Sequence, residues 1–282
     1  MKAKLFIFSL AVVAVLLAYG TYLGLKVAPT EATMGDVQRI FYCHVPSAAT
    51  GFTLFFLNFI ASIVYLWKKS PLADAWAVTT AEVGVVFCTV VLVTGPIWAR
   101  YAWGTWWVWD MRLTTTLILW LLYVSYLVLR RSSEAGSTSV LAAALAVFAF
   151  LDVPIVYMAN RWFRTNHPQP MIGTPNLDPR MAHVLFFNMF AFLFFGLLIA
   201  WFRFDLERMS QKLAALHIRR AAGGGAALAI APAMFAGTGH VNPNYFLYGA
   251  YIACWTIYIV YLLMLMGKLR RLHQEESELR AS

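Results

Sequence analysis

Seven stretches of this 282-residue chain stay apolar for roughly the 20 residues that a helix needs to cross a lipid bilayer. They cover residues 5–25, 40–67, 76–99, 113–129, 140–159, 182–202 and 245–266. Membrane-spanning strands are about half that length and alternate in polarity, so the chain is expected to be an all-α integral membrane protein. Composition agrees: 61% of residues are hydrophobic and 12% charged, against roughly 25% charged in a soluble domain. Water-soluble folds are excluded. The first stretch follows Lys2 and Lys4 and ends without a small-x-small cleavage pattern, so it is expected to remain as a span. A net charge of +9 reads as a topology signal, because Lys and Arg collect in cytoplasmic loops; no nucleic-acid partner is expected.

Orientation follows from where those cations fall. With the N-terminus inside, 11 of the 22 Lys and Arg lie at inner span ends and 7 at outer ones. The remaining four, Lys268, Arg270, Arg271 and Arg280, join the inner set if the weaker stretch 221–239 also crosses. The preferred reading has eight crossings and both termini inside, with a re-entrant segment or a cleaved internal signal after Arg219 and Arg220 as the alternatives. The expected organisation is a six-span core over residues 1–205, a linker with a weak or re-entrant seventh segment over 206–244, and a final span with a basic tail over 245–282.

The most unusual segment joins the third and fourth spans. From Tyr101 to Thr114 it places Trp103, Trp106, Trp107 and Trp109 within seven residues, followed by Asp110 and Arg112. A single interfacial Trp belongs to an ordinary aromatic belt; four together offer a flat π-surface with a polar edge. If helical, Trp103, Trp106, Trp107 and Asp110 share one face by their spacings of three and four. Two of the six histidines reach the same outer side, His44 after Arg39-Ile-Phe-Tyr-Cys and His167 in Arg164-Thr-Asn-His-Pro. Neutral imidazole ligates haem iron well, and a planar macrocycle with two carboxylates would use both the Trp surface and outer arginines such as Arg39 and Arg112. His183 is read as an interface anchor, and His217, His240 and His273 as solvated.

Two acids fall inside spans, Glu82 and Asp152. Such groups are costly in lipid; both are expected to be structural, Glu82 by snorkelling or protonation and Asp152 by pairing with a loop arginine. There is no phosphate-binding G-x-x-x-x-G-K-[ST] loop, no Ser/His/Asp arrangement and no zinc spacing. The three scattered cysteines imply no framework.

The run Trp103-Gly-Thr-Trp-Trp-Val-Trp-Asp-Met-Arg-Leu-Thr resembles the WWD signature of haem-handling proteins in cytochrome c biogenesis. Its Arg-Leu-Thr continuation is most similar to the haem exporter protein C family (CcmC). Arg39-Ile-Phe-Tyr-Cys-His-Val-Pro-Ser-Ala is similar to that family's first histidine motif, and His167 stands in the place of its second. The resemblance covers about residues 31–205. It implies a six-span fold holding haem b at the periplasmic face of the bacterial inner membrane, with His44 and His167 axial to the iron. Trp103, Trp106, Trp107, Trp109, Asp110, Arg112 and Arg39 would surround it. It further implies delivery to a membrane-anchored haem chaperone of the CcmE type, which an ATP-binding-cassette complex of the CcmA/CcmB type then releases, with no bond cleavage by this chain. The final span and basic tail resemble the small single-span partner of that system (CcmD). Two alternatives stand beside this reading: a bis-histidine membrane cytochrome b that carries electrons, and a synthetase of the WWD superfamily that attaches haem directly to apocytochrome.

Overall fold

The computed structural model describes residues 3–131, 137–169, 172, 177–220 and 243–281. Among them it forms eight α-helices and no strand: α1 (Ala3–Tyr22), α2 (Phe41–Lys68), α3 (Pro71–Trp103), α4 (Met111–Arg131), α5 (Ser137–Phe150), α6 (Asp152–Trp162), α7 (Pro179–Arg220) and α8 (Pro243–Ala281). A π-turn over Leu23–Val27 extends α1, and a 3₁₀ turn over Asp36–Ile40 leads into α2. Helices α5 and α6 together form one crossing, and seven spans result, matching the seven apolar stretches of the sequence. The protein is a multi-pass membrane protein. The weak stretch 221–239, with His240, lies outside the described residues, as does the side chain of His217.

The break between α5 and α6 has a local cause. Pro154 cannot donate to the Phe150 carbonyl and its ring crowds that group, so the chain tightens into a turn in which Leu151 N–H reaches the Phe148 carbonyl at 3.1 Å. Elsewhere the bilayer demands that backbone groups be satisfied within each helix, and irregular chain gathers at the two ends. At one, here the tryptophan end, lie the connections 28–40 and 104–110, residues 163–169 and the start of α8. The opposite, basic end carries Lys68, Lys69, Arg130, Arg131, Arg203, Lys268 and Arg271.

Helix α3 is the centre, packed against α2, α4, α7 and α8, while α1 lies on α7. Gly84 lets α2 and α3 approach: a Cβ there would come 2.6 Å from the Phe55 ring, which stacks on Tyr123 with centroids 3.8 Å apart. Helix α8 runs from the tryptophan end to the basic end, with Leu247, Ala250, Cys254, Tyr258, Tyr261 and Leu265 buried in the same core as α2, α3 and α7. Its tyrosines bring their own hydrogen bonds inward: Tyr251 Oη donates to the Arg39 carbonyl at 3.1 Å, and Tyr258 Oη lies 3.0 Å from Ser47 Oγ.

Glu82 is structural, but by ion pairing rather than by snorkelling. Arg203, 4% exposed, places Nη2 2.9 Å from Oε2 and Nε 3.0 Å from Oε1 of Glu82. Tyr261 Oη donates to the same carboxylate at 3.0 Å. Nη1 of Arg203 binds Glu207 at 2.8 Å. Asp152 does not pair with a loop arginine: it sits at the start of α6 with Oδ2 buried and lacking a hydrogen-bond partner. Removing one member of a buried ion pair strands the other, at a cost of about 3–5 kcal/mol. Arg203→Leu is therefore expected to lower stability in detergent by about that amount, and Glu82→Leu in the same chain to restore a large part of it. Thermal unfolding of the two variants checks this; equal loss in both would mean that the pair itself is not what matters.

Candidate functional site

The site at the tryptophan end starts where α3 stops. Gly104, at φ +73°, takes the left-handed conformation that terminates the helix after Trp103, and the Arg100 guanidinium donates to its carbonyl. Six residues later Asp110 starts α4 as an N-cap, its Oδ1 accepting the Leu113 N–H at 2.9 Å. Between these two signals the chain is not helical. The shared helical face expected for Trp103, Trp106, Trp107 and Asp110 is therefore not formed, because Gly104 ends one helix and Asp110 opens the next. The tryptophans instead line an irregular loop. Trp103 meets Trp98 edge-on at 5.2 Å, Trp107 meets Trp109 edge-on at 5.7 Å, and Trp106 lies 6.2 Å from Phe246 of α8. Trp109 is 76% exposed, whereas the Trp107 indole nitrogen is buried without a hydrogen-bond partner.

Asp110 also ties this loop to the histidine loop. Its second oxygen, Oδ2, accepts the Asn166 N–H at 3.0 Å, one residue before His167. The Nδ1 of His167 lies 3.0 Å from the Pro168 carbonyl. The Asn160 amide nitrogen, a donor, lies 3.1 Å from the same Nδ1, so the contacts of His167 are met by either neutral tautomer. Asn160 braces the turn, with Nδ2 donating to the same carbonyl at 2.7 Å. The ring lies 6.5 Å from Trp98. Burial, followed by the positive charge of Arg112, lowers the His167 pKa to about 4, so the imidazole is neutral at physiological pH.

His44 stands in the first turn of α2 and is oriented from α3. Its Nδ1 lies 2.8 Å from Thr94 Oγ1, and the single Thr94 hydroxyl proton is directed to the Val90 carbonyl at 2.7 Å. Thr94 must then accept from Nδ1–H, and the Nε2 of His44 is left with its lone pair. The geometry thus sets the tautomer of His44, and the two histidines lie within electrostatic range of each other and of Arg112.

The arginines are engaged within the protein. Arg39, 7% exposed, donates to Asp36 at 2.9 Å, the Gly24 carbonyl at 3.0 Å and Thr30 at 3.0 Å, and so holds the 28–40 connection together. Arg112 donates to the Val156 carbonyl at 2.6 Å, joining α4 to α6. His183 and His273 are exposed. Sequence reading missed Thr94, Trp98, Asn160 and Phe246. Thr94 and Trp98 are one helical turn apart on α3, a spacing that continues to Trp103's neighbourhood, and Asn160 is a buried amide inside an apolar span; those signals were present. Phe246 carried none.

Comparison with known proteins decides the family. A model of the family "CcmC: Heme exporter protein C" matches residues 1–219. The chain belongs to the haem exporter protein C family. Proteins named "Heme exporter protein C" from Escherichia coli K12, Haemophilus influenzae and Bradyrhizobium diazoefficiens are 32%, 32% and 34% identical to it. The matches cover 64%, 70% and 70% of this chain and 74%, 82% and 77% of those proteins. Membership gives the chain a role in cytochrome c maturation. Helix α8 lies beyond the matched residues yet contributes Phe246 to the tryptophan loop.

Asp110 is the joint of the site. Asp110→Ala removes an N-cap, usually worth about 0.5–2 kcal/mol, together with the link to Asn166. Amide hydrogen exchange is expected to accelerate both at the start of α4 and at Asn166, far apart in sequence; acceleration at α4 alone would show that the two loops are not coupled through this side chain.

Proposed function

We propose that this chain holds haem b at its tryptophan end, with His44 and His167 as axial ligands, and presents it to a membrane-anchored haem chaperone of the CcmE type. The observation that carries this reading is the pair of imidazoles at one end of the bundle, His44 with Nδ1 protonated and Nε2 available and His167 kept neutral by burial, beside a wall of indoles. Protonated histidine does not ligate iron, and His167 avoids that state at physiological pH. Trp103, Trp106, Trp107 and Trp109 supply apolar and π contact, and the unpartnered Trp107 N–H is a donor suited to a haem carboxylate. Asp110 and Arg112 hold the walls in register. Arg39 acts at one remove, since its donors secure the loop leading to His44.

The exposed Trp109 and the irregular loop suit a cargo that must leave again. An ATP-binding-cassette complex of the CcmA/CcmB type would release the loaded chaperone, and no residue of this chain breaks a covalent bond. In this reading the tryptophan end faces the periplasmic side of the inner membrane, which the excess of Lys and Arg at the other end supports.

The test is haem content and reduced and oxidised absorption spectra of protein purified in mild detergent. Wild type is expected to carry six-coordinate haem b, and His44→Ala and His167→Ala to lose it or show altered ligation. Thr94→Val, which removes only the orienting acceptor, is expected to weaken retention about tenfold. Haem unchanged in both histidine variants would remove the ligand assignment. If the apo-chaperone acquired covalent haem equally from wild type and variants, delivery through this site would fail while binding stood.

Acid provides a second check. Because the His167 pKa is lowered to about 4, its lone pair survives well below the usual imidazole value of about 6.5. The histidine-ligated spectrum is expected to persist from pH 7 to pH 5 and to collapse only nearer pH 4. The same lowering makes the unfolded chain bind more protons below about pH 6.5, so folding stability should fall as pH drops across that window. Loss of ligation centred near pH 6.5 would contradict the buried, neutral state of His167.

A further inference from the structure

A second site lies at the basic end, a bilayer's thickness from His44 and His167, and depends on nothing proposed for them. Helices α4 and α8 both pack on α3, and between them, closed at the back by α7, is a cavity of about 480 Å³. Its walls carry Arg130, Arg131, Arg203, Lys268 and Arg271 against the carboxylates of Glu82 and Glu207. Asp74 adds one further acid through its bidentate contact with Arg130, 2.6 Å at Nη2. The cations remain in excess. Arg203 is fully occupied by Glu82 and Glu207, but Lys268 Nζ stays 3.9 Å from Glu207, beyond hydrogen-bond reach. The rest of the lining is hydrocarbon, from Leu127, Met264 and Leu265, and Met264 is 63% exposed on the lipid-facing side of α8.

Surplus positive charge inside a cavity favours an anion, and arginine pairs suit phosphate oxygens in particular. A free anion needs no apolar wall. An amphiphile does, and the cavity sits at the ends of membrane spans, where phospholipid headgroups lie and where basic pockets between helices recognise them. We propose that this cavity binds the phosphate headgroup of an anionic phospholipid, with the headgroup against Arg131, Lys268 and Arg271 and an acyl chain leaving past Leu127 and Met264. Gly267 keeps the space open: it lines the cavity, and a Cβ added there would meet nothing within 4 Å.

That glycine gives a test that leaves every charge in place. The full-length protein in detergent is titrated with phosphatidylglycerol, cardiolipin or phosphatidylcholine, and bound lipid is counted by native mass spectrometry. Wild type is expected to retain the two anionic lipids at least tenfold more strongly than phosphatidylcholine. Gly267→Leu, which fills the cavity, and Arg131→Gln/Arg271→Gln, which removes charge at its mouth, are each expected to abolish that preference while leaving the thermal midpoint and any haem spectrum unchanged. Equal retention of charged and zwitterionic lipid by the wild type, or a preference that survives in Gly267→Leu, would overturn the proposal. Complete displacement of the lipid by millimolar inorganic phosphate or glycerol phosphate would show a free-anion site instead and would overturn the lipid assignment.

Discussion

The bilayer allows no unpaired backbone in its core, and this constraint decides where the protein can do chemistry. Apart from the Pro154 break inside the α5–α6 crossing, the spans close their own hydrogen bonds, and irregular chain gathers at the ends. A loop able to wrap a large planar ligand can only be built there. The WWD loop, the 28–40 connection and the His167 loop are all at one end, and the few polar groups that hold them reach in from the helix ends beneath: Thr94 from α3, Asn160 from α6, Arg112 from α4. The site is soft in its backbone and firm in its anchoring, which is suited to holding a ligand without trapping it.

Buried charge obeys the same constraint in the opposite sense. The Glu82 carboxylate is surrounded by Arg203 and the Tyr261 hydroxyl from two other helices, so one acidic side chain fixes the relative height of α3, α7 and α8. Its contribution to net stability is small or even unfavourable compared with well-packed apolar residues; its value lies in register, since only one alignment of the three helices satisfies all the partners. Helix α8 gains its place this way, through Tyr251 in its first third and Tyr261 at its middle.

The spans were legible in the sequence because hydrocarbon thickness sets a length that composition must match. The sequence placed His44, His167 and the WWD residues on one side by counting spans, and the structure brings their loops together through Asp110 and Asn166. Two features were not legible. The WWD segment looked like a helical face because a spacing of three and four is all that periodicity can report, while Gly104 and Asp110, a stop and a start signal only six residues apart, decide the backbone. Arg203 was legible as an inner-end cation and as nothing more, because the sequence does not state that Glu82 lies beside it 121 residues away. Arg39, expected from sequence to contact the ligand, donates to Asp36, Thr30 and the Gly24 carbonyl near the start of the π-turn, partners that no local pattern announces.

At the two histidines, geometry adds to residue identity. Two histidines on one side of a membrane are compatible with a haem, a metal ion, a proton relay or no ligand at all. Thr94 narrows this at His44, because its own hydrogen is directed to Val90 and it can only accept from Nδ1–H, which leaves Nε2 with its lone pair. His167 is kept neutral by burial and by the Arg112 charge, while its Nδ1 has the Pro168 carbonyl and the Asn160 amide nitrogen on either side. Such an imidazole pair, next to indoles that offer area but no charge, suits the proposed flat ligand held by its metal and its faces. In the proposed site, the modest strength of aromatic contact, roughly 0.5–1.5 kcal/mol for each pair, would leave retention mainly to the histidines, and exchange of one axial ligand would begin release.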